Sequence, residues 1–127
     1  MIRALWFLCI AATMWFALIP PEMGGLGGTS YHGVAFMVLG LLTPAAFPRV
    51  PLVAIWILLL VFGGGIELAQ GMMNVNRHSE WDDFVTDAFA ATVGIVYYRI
   101  WLYLRARMAR DDASSEEESD SASQDRK

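Results

Sequence analysis

Four apolar runs, separated by proline, glycine and short charged stretches, occupy residues 4–104 of this 127-residue chain. Crossing a hydrocarbon core of about 30 Å takes about 20 helical residues at roughly 1.5 Å each, so four crossings use most of the length. With 56% hydrophobic and only 17% charged residues, the chain is too apolar for a small water-soluble domain. Four spans also leave no room for a soluble catalytic domain. The expected fold is an all-α membrane protein of four transmembrane helices.

The runs predict spans at residues 4–19, 32–47, 51–72 and 83–104. Pro20 and Pro21 stop the first, because proline cannot continue a helix and restricts the residue before it. No small-x-small cleavage pattern follows this run, so a retained anchor is expected rather than a signal peptide. Residues 20–31 (PPEMGGLGGTSY) form a glycine-rich loop, and the second span opens at His32, with Pro44 expected to kink or fray its last turn. Only Pro48 and Arg49 separate it from the third span, which begins with Pro51 in the tolerated first turn; the two make a tight antiparallel hairpin. A polar loop over residues 74–82 leads to the fourth span, whose Tyr97, Tyr98, Trp101 and Tyr103 suit the membrane interface.

Charge sets the orientation. Arg3, Arg49, Arg105, Arg107 and Arg110 fall on one side, whereas the opposite loops contain only Arg77. The arginine-rich side is expected to be cytoplasmic, giving an N-in, C-in, multi-pass protein of the bacterial inner membrane. Residues 1–110 form the membrane domain. Segment 111–127 (DDASSEEESDSASQDRK) holds seven acids and two bases, contributing −5 to a net charge of −4 and leaving the body at +1. It has too little apolar surface to order itself, so a disordered acidic tail is expected. No basic surface offers itself to nucleic acid, which is excluded as a partner. Cys9 is the lone cysteine, and no Cys/His spacing suggests a zinc site, so neither metal nor cofactor is expected.

The chemistry lies in residues 63–94, where ionisable groups stand at the outer ends of two otherwise apolar spans. A carboxylate such as Glu67 within a span costs a few kcal/mol on insertion scales unless it is protonated, paired or facing water. Gln70, three residues on, shares its face, and Gly63 and Gly64 continue that face inward. The triplet Gly63-Gly64-Gly65 reads as close helix packing, since no phosphate-binding pattern surrounds it. Asp83 and Asp87 are an i, i+4 pair with Ala90, Ala91 and Gly94 behind them. Asp83 also suits a helix N-terminus as a cap, whereas Asp87 lies a turn too deep for capping. Arg77 is the natural cation for Glu67 or an aspartate, whether as a structural pair or within a site. His32 stands at the same interface, either simply interfacial or joined to the group; His78 reads as solvent-exposed. Met23, Met72 and Met73 read as lipid-facing or packing residues.

His32 opening a span, Glu67-x-x-Gln70, Arg77, then Asp83 and Asp87 followed by Gly94 resembles the signature of the VanZ-like family over residues 32–94. That signature is a membrane-embedded E-x-x-Q, an arginine about seven residues later, and D-x-x-x-N backed by small residues. This chain has Asp87 where the family usually has Asn, Ala90 where it has Gly, and Gly28-Thr29 where it often has Asp-Lys. The resemblance implies a multi-span envelope protein of a family whose founding member is associated with low-level teicoplanin resistance.

From these residues one polar cluster is expected at the outer interface: Glu67, Gln70, Arg77, Asp83 and Asp87, with His32 as a sixth candidate. The leading expectation is a non-enzymatic protein whose cluster binds a lipid or glycan headgroup, or a membrane-protein partner or second copy. The alternative is an enzyme on a lipid-linked substrate, with Glu67 or Asp87 as base and His32 as acid. A small proton-coupled transporter is the third reading; carboxylates gathered at one interface count against it.

Overall fold

The computed structural model describes residues 1–19, 29–72 and 81–124, with side chains for 1–19, 31–72 and 81–116. Among these every regular element is a helix: α1 (Ile2–Leu18), α2 (Thr29–Ala46), α3 (Leu52–Met72) and α4 (Trp81–Gln124). Arg77 and His78, together with Met23 and Met73, lie outside the described residues. The first three helices match the expected spans to within a few residues. Of them α3, with 21 residues, is long and apolar enough to cross a membrane alone, and α1 and α2 are shorter apolar helices.

The exterior is far more apolar than that of a water-soluble bundle, and several polar groups are buried. Phe7, Leu8, Val53, Leu58, Val61 and Phe89 are each at least 60% exposed, while Thr13, His32, Thr43, Gln70 and Asp87 are buried. In water so broad an apolar exterior would drive association. Between helices in lipid, apolar burial offers little gain, and close packing of small residues takes over.

That contact is made chiefly between α2 and α4. A Cβ at Gly40 would strike the Ala91 carbonyl, and one at Gly94 would strike the Met37 carbonyl and come within 2.9 Å of the Leu41 nitrogen. The two backbones therefore touch directly, with Ala90 and Ala91 completing the seam. Phe36 and Leu39 of α2 and Ile55, Leu59 and Ile66 of α3 fill the space beside it. Helix α1 packs on α2 and α3 but not on α4. It is tied by Trp6 Nε1 donating to Thr43 Oγ1 at 2.9 Å and by Arg3 Nε donating to the Ala46 carbonyl at 3.2 Å. The Arg3 guanidinium also lies over the Phe47 ring.

Helix α2 carries Pro44 internally and still runs to Ala46. The α2–α3 turn is tight, with Val50 N–H bonding to the Phe47 carbonyl at 3.0 Å. Helix α4 departs from expectation by running past residue 104 to Gln124, so the backbone of the segment expected to lack order is helical to that point. No glycine or proline falls between residues 95 and 124 to stop it. Arg107 approaches Asp111 at 4.0 Å one turn on, and the Ser114 and Ser115 hydroxyls bond to carbonyls three residues back. Residues 99–116 are exposed throughout, so local interactions alone favour this extension.

Candidate functional site

The end of the bundle away from Arg3 and the α2–α3 turn brings α2, α3 and α4 together around ionisable side chains. His32, in the first turns of α2, is 1% exposed, and Asp87, in the second turn of α4, is 2% exposed. The two meet with His32 Nδ1 at 3.3 Å from Asp87 Oδ2. With the carboxylate ionised it only accepts, and the imidazole then donates through Nδ1. A buried pair of this kind is worth forming only if the remaining lone pairs and protons are also satisfied.

They are not satisfied by protein. His32 Nε2, Asp87 Oδ1 and Asp83 Oδ1 are buried and have no hydrogen-bond partner among the described residues. Asp83 sits one turn outward from Asp87 on the same face of α4, and with Glu67 lies within electrostatic reach of the His32 ring. The sequence groups Glu67, Gln70, Arg77, Asp83 and Asp87 with His32 as a sixth candidate; the structure adds the direct His32–Asp87 contact.

Gly63 explains why Asp87 fits. A Cβ there would lie 3.2 Å from the Phe36 ring and 3.4 Å from Asp87 Oδ2, so the bare backbone of α3 makes room for ring and carboxylate together. Gly64 faces Phe84 at ordinary van der Waals distance, and Gly65 faces open space. Of the triplet, Gly63 is thus the one against which the site packs.

Gln70 has a different partner. Buried, it donates through Nε2 to the Ala17 carbonyl at 2.7 Å. That carbonyl belongs to the last turn of α1, where intrahelical donors run out. Gln70 therefore fastens the C-terminal end of α1 to α3, while the Tyr31 hydroxyl of α2 donates to the Ala12 carbonyl at 3.4 Å. No spacing rule in the sequence points to a backbone acceptor 53 residues away.

Between the end of α3 and the start of α4 lies a cavity of about 420 Å³ lined by Gly64, Glu67, Leu68, Gly71, Met72, Trp81 and Phe84. One wall carries the Glu67 carboxylate and the rest is apolar or aromatic. Among the described residues no group of three or more His, Cys, Asp or Glu is arranged to hold a metal ion.

The VanZ/LLP1 family model matches residues 31–102. The chain belongs to the VanZ-like family. The match takes in α2, α3 and the first half of α4, and so every residue of the polar cluster; α1 and the acidic end of α4 fall outside it. VanZ-like membership, with the apolar helix α3, makes this a membrane-associated protein of VanZ envelope type. No match was found among curated proteins or among solved structures.

Proposed function

We propose that this VanZ-like chain spans the bacterial inner membrane four times with both ends in the cytoplasm, and that its outer cluster receives the headgroup of an envelope lipid or glycan. The observation that carries the reading is the buried His32–Asp87 pair, whose unpartnered polar atoms call for a guest, beside a cavity that joins the Glu67 carboxylate to an apolar wall. Leu68, Met72, Trp81 and Phe84 suit an acyl chain or sugar ring, and the carboxylates suit the polar end of the same molecule. The topology is supported by Arg3 lying against Ala46 and Phe47, which puts the start of α1 and the α2–α3 turn carrying Arg49 at one arginine-rich end.

The hydrogen-bonded His32–Asp87 pair with an open Nε2 also favours a second reading, a membrane enzyme that moves a proton on a lipid-linked substrate. Transport has less support: inward of Asp87, the backbone contact at Gly40, Ala91 and Gly94 closes the α2–α4 seam and offers no polar path.

The test is purification from native membrane in mild detergent, followed by mass spectrometry of bound lipid. Leu68→Trp is the comparison, because Leu68 is 67% exposed on the cavity wall and a bulkier ring there blocks the cavity without disturbing the core. The expected result is a lipid held by the wild type and lost from the variant. The same lipid complement in both would overturn the reading. Chemical conversion of the held lipid on incubation, abolished by Glu67→Gln, would move the assignment to the enzyme.

A further inference from the structure

Between Asp87 and Asp111, α4 carries Arg99, Arg105, Arg107 and Arg110 and no acidic residue. Three of these arginines are engaged within the helix. The Arg105 guanidinium lies 5.4 Å from the centre of the Trp101 ring, Arg107 approaches Asp111, and Arg110 Nε donates to the Ala106 carbonyl at 3.2 Å. Arg99 is exposed and has no such partner among the described residues.

The α2–α4 seam sets the depth of Arg99. The two helices run in the same direction, since Gly33 meets Thr86, Gly40 meets Ala91 and Gly94 meets Leu41. Arg99 follows Gly94 by the same interval as Ala46 follows Leu41, so it is rooted level with the end of α2, where Arg3 bonds the Ala46 carbonyl. That places it inside the expected fourth span and close to its end. An arginine so placed runs its stem along apolar surface toward the headgroup layer, where the anion within reach is a lipid phosphate.

A groove of about 460 Å³ opens at this point, lined by Arg99, Ile100, Leu102 and Tyr103. Tyr103 stands one turn beyond Arg99 on the same face of the helix, and Arg107 and Arg110 continue that face outward. The groove thus presents a permanently charged guanidinium and a phenol hydroxyl, both able to donate, between apolar walls. A zwitterionic headgroup would bring its own cation beside these arginines, with no carboxylate in the groove to receive it. An anionic headgroup brings negative charge alone.

We propose that Arg99 and Tyr103 bind the phosphate of an anionic phospholipid, one acyl chain of which lies along Ile100 and Leu102. The guanidinium takes two phosphate oxygens through its fork, and the Tyr103 hydroxyl donates to the same group. This site uses the membrane reading above and neither the cavity beside Glu67 nor the choice of leaflet.

The experiment uses the full chain in nanodiscs of phosphatidylcholine containing equal minor fractions of phosphatidylglycerol and phosphatidylethanolamine, with the lipids that stay bound read by native mass spectrometry. Phosphatidylglycerol should be enriched over both others. Arg99→Gln should cut that enrichment about tenfold and Tyr103→Phe about threefold, as expected for a charge-assisted and a single hydrogen bond. Arg99→Lys, which keeps the charge and loses the fork, should fall between Arg99→Gln and the wild type. Arg105→Gln removes the same charge from the opposite side of α4 and should change the enrichment by less than about twofold, as should Leu68→Trp. All these side chains are exposed, so thermal unfolding should be unchanged throughout. Equal losses from Arg99→Gln and Arg105→Gln would show diffuse attraction to the arginine-rich end and overturn the site. Loss from Leu68→Trp alone would move the anionic lipid to the cavity beside Glu67, and absence of enrichment in the wild type would overturn the proposal outright.

Discussion

At the scale of single residues, the decisive fact is that Asp87 is buried with one oxygen on His32 and the other open. Taking away one partner of such a pair strands the other, and the penalty exceeds what the pair contributes. His32→Leu should therefore destabilise the protein by about 3 kcal/mol or more, and adding Asp87→Leu should restore part of that loss. Equilibrium unfolding in mixed micelles measures both, and additive losses in the double variant would contradict the coupling. How much of this was legible differs by residue. Glu67, Asp83 and Asp87 stand out in the sequence because charge inside an apolar run needs a reason. His32 is legible as a sixth candidate for the cluster, but its pairing with Asp87 is not, since the contact joins residues 55 apart and no periodicity links them. Gln70 was grouped with the carboxylates by helical spacing, yet its hydrogen bond goes to a backbone oxygen of α1, an acceptor every residue carries and no sequence pattern marks. Thr13 and Thr43, buried with their hydroxyls bonded to carbonyls one turn back, escaped attention for a related reason: an intrahelical bond makes threonine unremarkable in an apolar run.

At the scale of elements, the α2–α4 seam sets the geometry of the site, because it fixes how closely His32 and Asp87 can approach. Its glycines are not equivalent to those of α3. Gly40→Ala and Gly94→Ala should each destabilise by about 2 kcal/mol or more, since the added methyl meets backbone that cannot move aside. Gly65→Ala, with open space around the new methyl, should be neutral or slightly stabilising, by up to about 1 kcal/mol from helix propensity. Thermal unfolding in detergent ranks the three, and equal losses would contradict the seam. Helix existence was readable from the apolar runs and the Pro48-Arg49 break. The end of α4 was not: loss of hydrophobicity after residue 104 suggested a stop, whereas a backbone with no glycine or proline can continue as long as local pairs such as Arg107–Asp111 favour it. Which of the three adjacent glycines faces a partner was also beyond spacing arguments, because it depends on the rotation of α3 against α2.

At the scale of the whole molecule, large apolar side chains cover the exterior as well as filling the core, the buried His32–Asp87 pair lies toward one end of the bundle, and Arg3 and Arg49 lie at the other. In the proposed topology the His32–Asp87 end faces the cell exterior and the end bearing Arg3 and Arg49 faces the cytoplasm. Substituted-cysteine labelling in intact cells tests this most directly, in a Cys9→Ser background that removes the chain's one natural thiol. Positions 76, between α3 and α4 in the sequence, and 49, in the α2–α3 turn, are the two to compare. Asn76→Cys should react with a membrane-impermeant maleimide added outside, and Arg49→Cys should react only after permeabilisation. Labelling of position 49 from outside, or of position 76 only from the cytoplasmic side, would contradict the account.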